Sequence, residues 1–115
     1  MTKITFITSK KLFQNSLFFL TPLMIWRESL YQEKIILNIQ FYENLILEYS
    51  DFIFIDSKVH RDILDSNFEK VLLDFENFRK KTKYIFYCDT GDSSGKKKKK
   101  IFPFVDKYLK CQLLK

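Results

Sequence analysis

The sequence predicts an α/β fold in three layers: a small, mostly parallel sheet of about four strands with helices on both faces. Three observations lead there. Apolar runs stop abruptly at carboxylates, as in Asp51-Phe52-Ile53-Phe54-Ile55-Asp56 and Tyr84-Ile85-Phe86-Tyr87-Cys88-Asp89. Unbroken runs leave no face for solvent, the pattern of central parallel strands. Between them, Leu64, Phe68, Val71, Phe75 and Phe78 recur at spacings of 4, 3, 4 and 3, the stripe of an amphipathic helix. Strand and helix signals also alternate along the chain, which implies right-handed crossovers. A single Rossmann-like domain over residues 1–115 follows.

Each element has its own signal. Ile4 to Thr8 reads as the first strand, and residues 16–32 as a helix with Pro22 in its first turn after Thr21 or at a kink. Lys34 to Ile39 is a second apolar run, and Tyr42 to Tyr49 reads as two helical turns. Residues 51–56 form the third strand, about 60–82 the long helix, and 83–88 the fourth strand. A polar loop over 89–101 precedes a last helix from Pro103 to Leu114, whose apolar side is Val105, Tyr108, Leu109 and Leu113. Trp26 and the phenylalanines read as core. The chain reaches Lys115 still reading as helix, so the expected fold lacks a closing strand and the sequence reads as the front part of a longer protein.

Composition narrows the function. There is no alanine, while residues with AT-rich codons abound, so the phenylalanine and lysine surpluses are weak functional signals. The net charge of +6 is unevenly spread: residues 1–95 carry 12 Lys and Arg against 13 Asp and Glu, whereas 96–115 carry 8 against 1. A neutral body with three scattered arginines is not the basic face of a specific nucleic-acid binder. Cys88 and Cys111 share no metal or redox spacing, and a reducing compartment is expected. The apolar stretch Leu17 to Trp26 is too short to cross a bilayer. These features place the chain in the cytoplasm.

The richest polar segment follows the fourth strand. Asp89, Thr90, Gly91, Asp92, Ser93, Ser94 and Gly95 hold both glycines of the protein. Parallel strands would bring this loop to one border with Thr8, Ser9 and Lys10 after strand one and with Asp56 and Ser57 after strand three. Such hydroxyls, lysines and carboxylates can bind a sugar or a phosphate, with an aspartate as general base. Taken singly, each residue also suits an ordinary turn or helix cap. The Gly91–Lys96 stretch is one residue short of a phosphate loop, and Lys97 replaces the Ser or Thr such a loop needs, which excludes nucleoside triphosphate hydrolysis. Lys96, Lys97, Lys98, Lys99 and Lys100 read first as a solvated charge run, and second as a weak contact with an anionic membrane. His60, the one histidine, reads as a surface residue at a helix start, and no zinc site is expected.

At Asp56-Ser57-Lys58, at Asp89 to Gly95, at Phe102 to Lys110 and Gln112 to Lys115, and in the opening Lys3 to Lys10, the chain resembles the N-terminal part of bacterial surface-polysaccharide glycosyltransferases of the two-domain GT-B type. That resemblance implies a domain that binds the sugar acceptor. A second, C-terminal domain, missing from the sequence, would grip a nucleotide-sugar donor without a metal or other cofactor. It implies catalysis by Asp89 or Asp92 as base or acceptor-hydroxyl partner, with Thr90, Ser93 and Ser94 on sugar hydroxyls, and no transfer by this domain alone. The competing expectation is a complete flavodoxin- or receiver-like module that binds or regulates. A receiver needs an acidic pair after strand one, where Thr8-Ser9 stands. A flavodoxin needs a phosphate loop there, and Lys10-Lys11-Leu12 is poor in hydroxyls.

Overall fold

A computed structural model describes residues 2–9, 25–60, 63, 66–89 and 99–110. Its centre is a five-stranded sheet in the order β2-β1-β3-β4-β5, with every pair parallel. The strands are β1 (Thr2–Thr8), β2 (Ile35–Phe41), β3 (Ser50–Asp56), β4 (Thr82–Asp89) and β5 (Lys107–Lys110). Among the described residues two α-helices accompany them, α1 (Arg27–Gln32) and α2 (Phe68–Arg79). The α/β, mostly parallel expectation therefore holds, with one strand more than the four read from sequence.

Burial on both faces explains the unbroken apolar runs. On one face Ile7, Ile53, Ile55, Ile85 and Tyr87 meet Val71, Phe75 and Phe78 of α2. On the other, Phe6 and Cys88 are buried beside Ile39, Phe54 and Leu109. The register aligns Phe6 with Phe54 and Phe54 with Phe86. Their rings follow one another at 6.4 and 4.8 Å between centroids, so one aromatic row crosses three strands.

Helix α2 starts where Asn67 caps it, its side chain accepting from the Lys70 N–H at 3.3 Å. This cap puts the first helical residue at Phe68, well past the expected start near 60; residues 57–60 form a separate 3-10 turn, and Leu64 lies outside the described residues. The far end is held by Arg79, which donates to the Lys83 and Phe104 carbonyls and to Asp106 at 3.0, 3.2 and 2.8 Å. Asp106 also accepts from the Ile85 N–H at 2.7 Å, so one carboxylate fastens the approach to β5 onto β4. Burial, the largest influence on Asp106, pushes its pKa up, but the Ile85 N–H and Arg79 together hold it below the usual carboxylate range. After α1, Lys34 takes φ 65° and donates its N–H to the Tyr31 carbonyl at 2.9 Å, a left-handed residue closing the helix before β2.

Three expected features need correction. Residues 42–49 are not two helical turns: a 3-10 turn over Tyr42–Asn44 leads into an irregular stretch. Leu45 and Leu47 pack on the core while Ile46 is 74% exposed, a period of two that no helix can satisfy. The last helix is instead a 3-10 turn over Lys99–Phe104 followed by strand β5, because pairing with β4 supplies backbone partners to Lys107–Lys110. Trp26 is 60% exposed and lies outside the core.

Phe75 is the pivot of the larger core, with His60, Phe78, Tyr87 and Phe104 rings all within 6.4 Å. Phe75→Ala is expected to lower the unfolding free energy by about 3–5 kcal/mol, read as a reduced urea midpoint. Asn67→Ala should cost about 1 kcal/mol by the same measurement.

Candidate functional site

Parallel pairing sends the ends of β1, β2, β3 and β4 to one border of the sheet. The order reverses between β1 and β3, because the chain steps outward to β2 and then returns to the other side of β1. Crevices at such a reversal are where open α/β sheets bind ligands.

The carboxyl groups on this border differ sharply in setting. Asp56 is fully buried, accepting from the Thr8 hydroxyl at 2.9 Å and the Lys58 N–H at 3.0 Å. It therefore clasps the end of β1 to the turn after β3. Asp89, equally buried, accepts the Tyr108 hydroxyl, which joins the ends of β4 and β5. Glu43 is exposed, on the turn after β2, and accepts from the Ser9 hydroxyl at 2.9 Å. Of these three, Glu43 presents its carboxylate to solvent.

A second cluster lies beneath the same border. His60 closes the turn after β3 with no exposed surface, contrary to the surface position expected of it. Its Nε2 is 2.9 Å from Oδ2 of Asp74 on α2. The same oxygen accepts the Tyr42 hydroxyl, and Lys70 donates to Oδ1 at 2.8 Å. Burial is the largest influence on Asp74 and pushes its pKa up, yet hydrogen bonds from His60, Lys70 and Tyr42 together hold it below the usual value. Burial, then the Asp74 carboxylate, raises the Tyr42 phenol, and the bond to Asp74 raises Lys70. Burial also raises Tyr87 strongly, keeping its phenol neutral.

The structure thus brings Thr8, Ser9, Asp56, Ser57 and Asp89 to one border. Lys10, Thr90, Gly91, Asp92, Ser93, Ser94, Gly95 and Lys96–Lys98 lie outside the described residues, and Lys99 and Lys100 open the last 3-10 turn. Glu43, Tyr42, His60 and Asp74 were not assigned to the site from sequence. One signal was present: Asp74 falls between Val71 and Phe75, inside the apolar stripe of α2, where a carboxylate must find donors. Among the described residues, no three His, Cys, Asp or Glu side chains converge to hold a metal ion, and no helix is long and apolar enough to cross a membrane.

A carboxyl group with a depressed folded-state value stabilises the protein above the unfolded value, about 3.9 for aspartate, and that contribution fades as pH falls through the folded value. Asp74 is expected to contribute to acid unfolding below about pH 4. Asp74→Asn should lower stability at neutral pH by about 1–3 kcal/mol and flatten the acid limb in urea titrations at several pH values. Thr8→Val should cost a similar amount, about 1–3 kcal/mol, by leaving buried Asp56 short of a donor.

Comparison of the chain with protein-family models, with curated proteins and with solved structures finds no match in any of the three, so the functional reading rests on the chemistry of this border.

Proposed function

We propose that the chain is the acceptor-side domain of a two-domain glycosyltransferase, and that it binds a hydroxyl-rich sugar in the crevice between the ends of β1 and β3. The observation that carries this reading is exposed Glu43, held by the buried Ser9 hydroxyl at the border where the strand order reverses. A carboxylate and a hydroxyl in one crevice suit sugar hydroxyls, which donate to the first and exchange bonds with the second. A phosphate is a poorer fit, because Glu43, Asp56 and Asp89 put negative charge on the same border. The base of the full enzyme would be Asp89, which ends β4, or Asp92, with Thr90, Ser93 and Ser94 on the acceptor. The nucleotide-sugar donor would bind a C-terminal partner domain. This reading places the protein in the cytoplasm, with Lys96–Lys100 giving weak attraction to an anionic membrane face.

A second reading, a binding or regulatory module without catalysis, is favoured by the strand order 2-1-3-4-5, the order of flavodoxin-like domains. It would use the same crevice.

Titration calorimetry with soluble oligosaccharides separates these readings. The chain is expected to bind at least one of them, and Glu43→Gln and Ser9→Ala should each weaken binding about tenfold, the loss of one charge-assisted hydrogen bond. Absence of sugar binding, or affinity unchanged in both variants, would overturn the assignment. Binding without transfer when a nucleotide-sugar domain is supplied would favour the second reading.

A further inference from the structure

We propose that His60 is a proton-operated latch on the turn that carries Glu43, so that acid loosens the crevice; the consequence for ligand rests on the sugar-binding reading above. The latch joins at one atom. Asp74 Oδ2 accepts from His60 on the turn after β3 and from Tyr42 on the turn after β2, while Asp74 itself belongs to α2. Tyr42 immediately precedes Glu43, so the hold on the Tyr42 hydroxyl is a hold on the Glu43 backbone.

The protonation states follow from the donors. Asp74 is ionised, held so by three donors, and an ionised carboxylate only accepts. His60 Nε2 therefore carries the hydrogen in the neutral ring. Nδ1 keeps its lone pair, is buried and makes no hydrogen bond among the described residues. Lys70, 2.8 Å from Asp74, already balances the carboxylate. A proton added to His60 would create a second cation on one anion, together with a buried Nδ1–H that no group among the described residues accepts.

The groups facing His60 do not relieve this. On α2 they are Lys70 and Asp74, and on the turn after β2 they are Tyr42 and then Glu43, which is bonded to Ser9. On its own turn stands Lys58, whose N–H is on Asp56. The turn also packs on β1, which ends at Thr8, and on β4, which ends with Tyr87, Cys88 and Asp89, the last bonded to Tyr108.

Packing decides which side gives. The imidazole lies edge-on between Phe75 at 5.8 Å and Tyr42 at 5.5 Å. Phe75 is fixed by Phe78, Tyr87 and Phe104. Tyr42 sits on a three-residue turn followed by irregular backbone. The protonated ring can reach water by displacing Tyr42, which would release the turn and draw Glu43 from Ser9.

The test follows the His60 imidazole by NMR across acid pH in the 115-residue chain, with hydrogen-exchange protection at the Tyr42, Glu43 and Asn44 amides. Protection there is expected to fall at least about tenfold with the midpoint of the His60 titration. In Tyr42→Phe it should be low at every pH while His60 still titrates. Where that variant does not fold, the wild-type titration decides alone. Protection unchanged or increased as His60 charges, or a His60 that stays neutral in folded protein down to about pH 4.5, would overturn the latch. The exchange readout needs no ligand. Amides that respond in a chain that binds no sugar would sink the sugar reading alone, whereas sugar binding with a flat acid profile and unresponsive amides would sink the latch alone.

Discussion

The position of β1, hydrogen-bonded in parallel to β2 on one side and β3 on the other, is the constraint on which the structure depends. It fixes the reversal of strand order at the border. It also sets side-chain placement. Phe6 aligns with Ile39 and with Phe54, which puts Ile7 toward α2 and brings Thr8 to Asp56. A slip of one residue would turn Ile7 out of the larger core and part Thr8 from its carboxylate. Hydrophobic placement and the buried clasp therefore select the same register.

The border is built in two tiers. Below, buried carboxylates are held by donors: Asp56 by Thr8, Asp89 by Tyr108, and Asp74 by His60, Tyr42 and Lys70. Such pairs gain little over an apolar filling, but removing one partner is costly, so they fix the strand ends relative to one another. Above, exposed Glu43 accepts from the buried Ser9 hydroxyl, a bond whose intrinsic worth is small. A weak pair on a firm base can exchange partners without disturbing the sheet, which is what ligand recognition asks of it.

Much of the fold was legible because its core strands are long and apolar. Phe52–Ile55 and Tyr84–Cys88 admit one interpretation, and Val71, Phe75 and Phe78 mark their helix. The failures share a physical cause. Lys107-Tyr-Leu-Lys is a strand because β4 offers it hydrogen bonds, a reason absent from its own four residues. Leu45 and Leu47 alternate over too short a span to overrule the helical look of their neighbours. At the border, Thr8, Ser9, Asp56, Ser57 and Asp89 are legible as strand-end residues. Glu43 was not, because the turn after β2 had been read as helix. His60 escaped because its partners, Tyr42 and Asp74, are 18 and 14 residues away and meet it only after the sheet is assembled.

The exposed tryptophan has a spectroscopic corollary. Trp26 is the sole indole of the protein and stands 60% exposed ahead of α1. Its emission is already that of a wetted ring, so loss of the sheet would alter its colour little. The stacked phenols of Tyr87 and Tyr108, 5.3 Å apart, lie where β4 meets β5. Their near-ultraviolet dichroism, not indole fluorescence, is the optical signal that would report whether the sheet is intact.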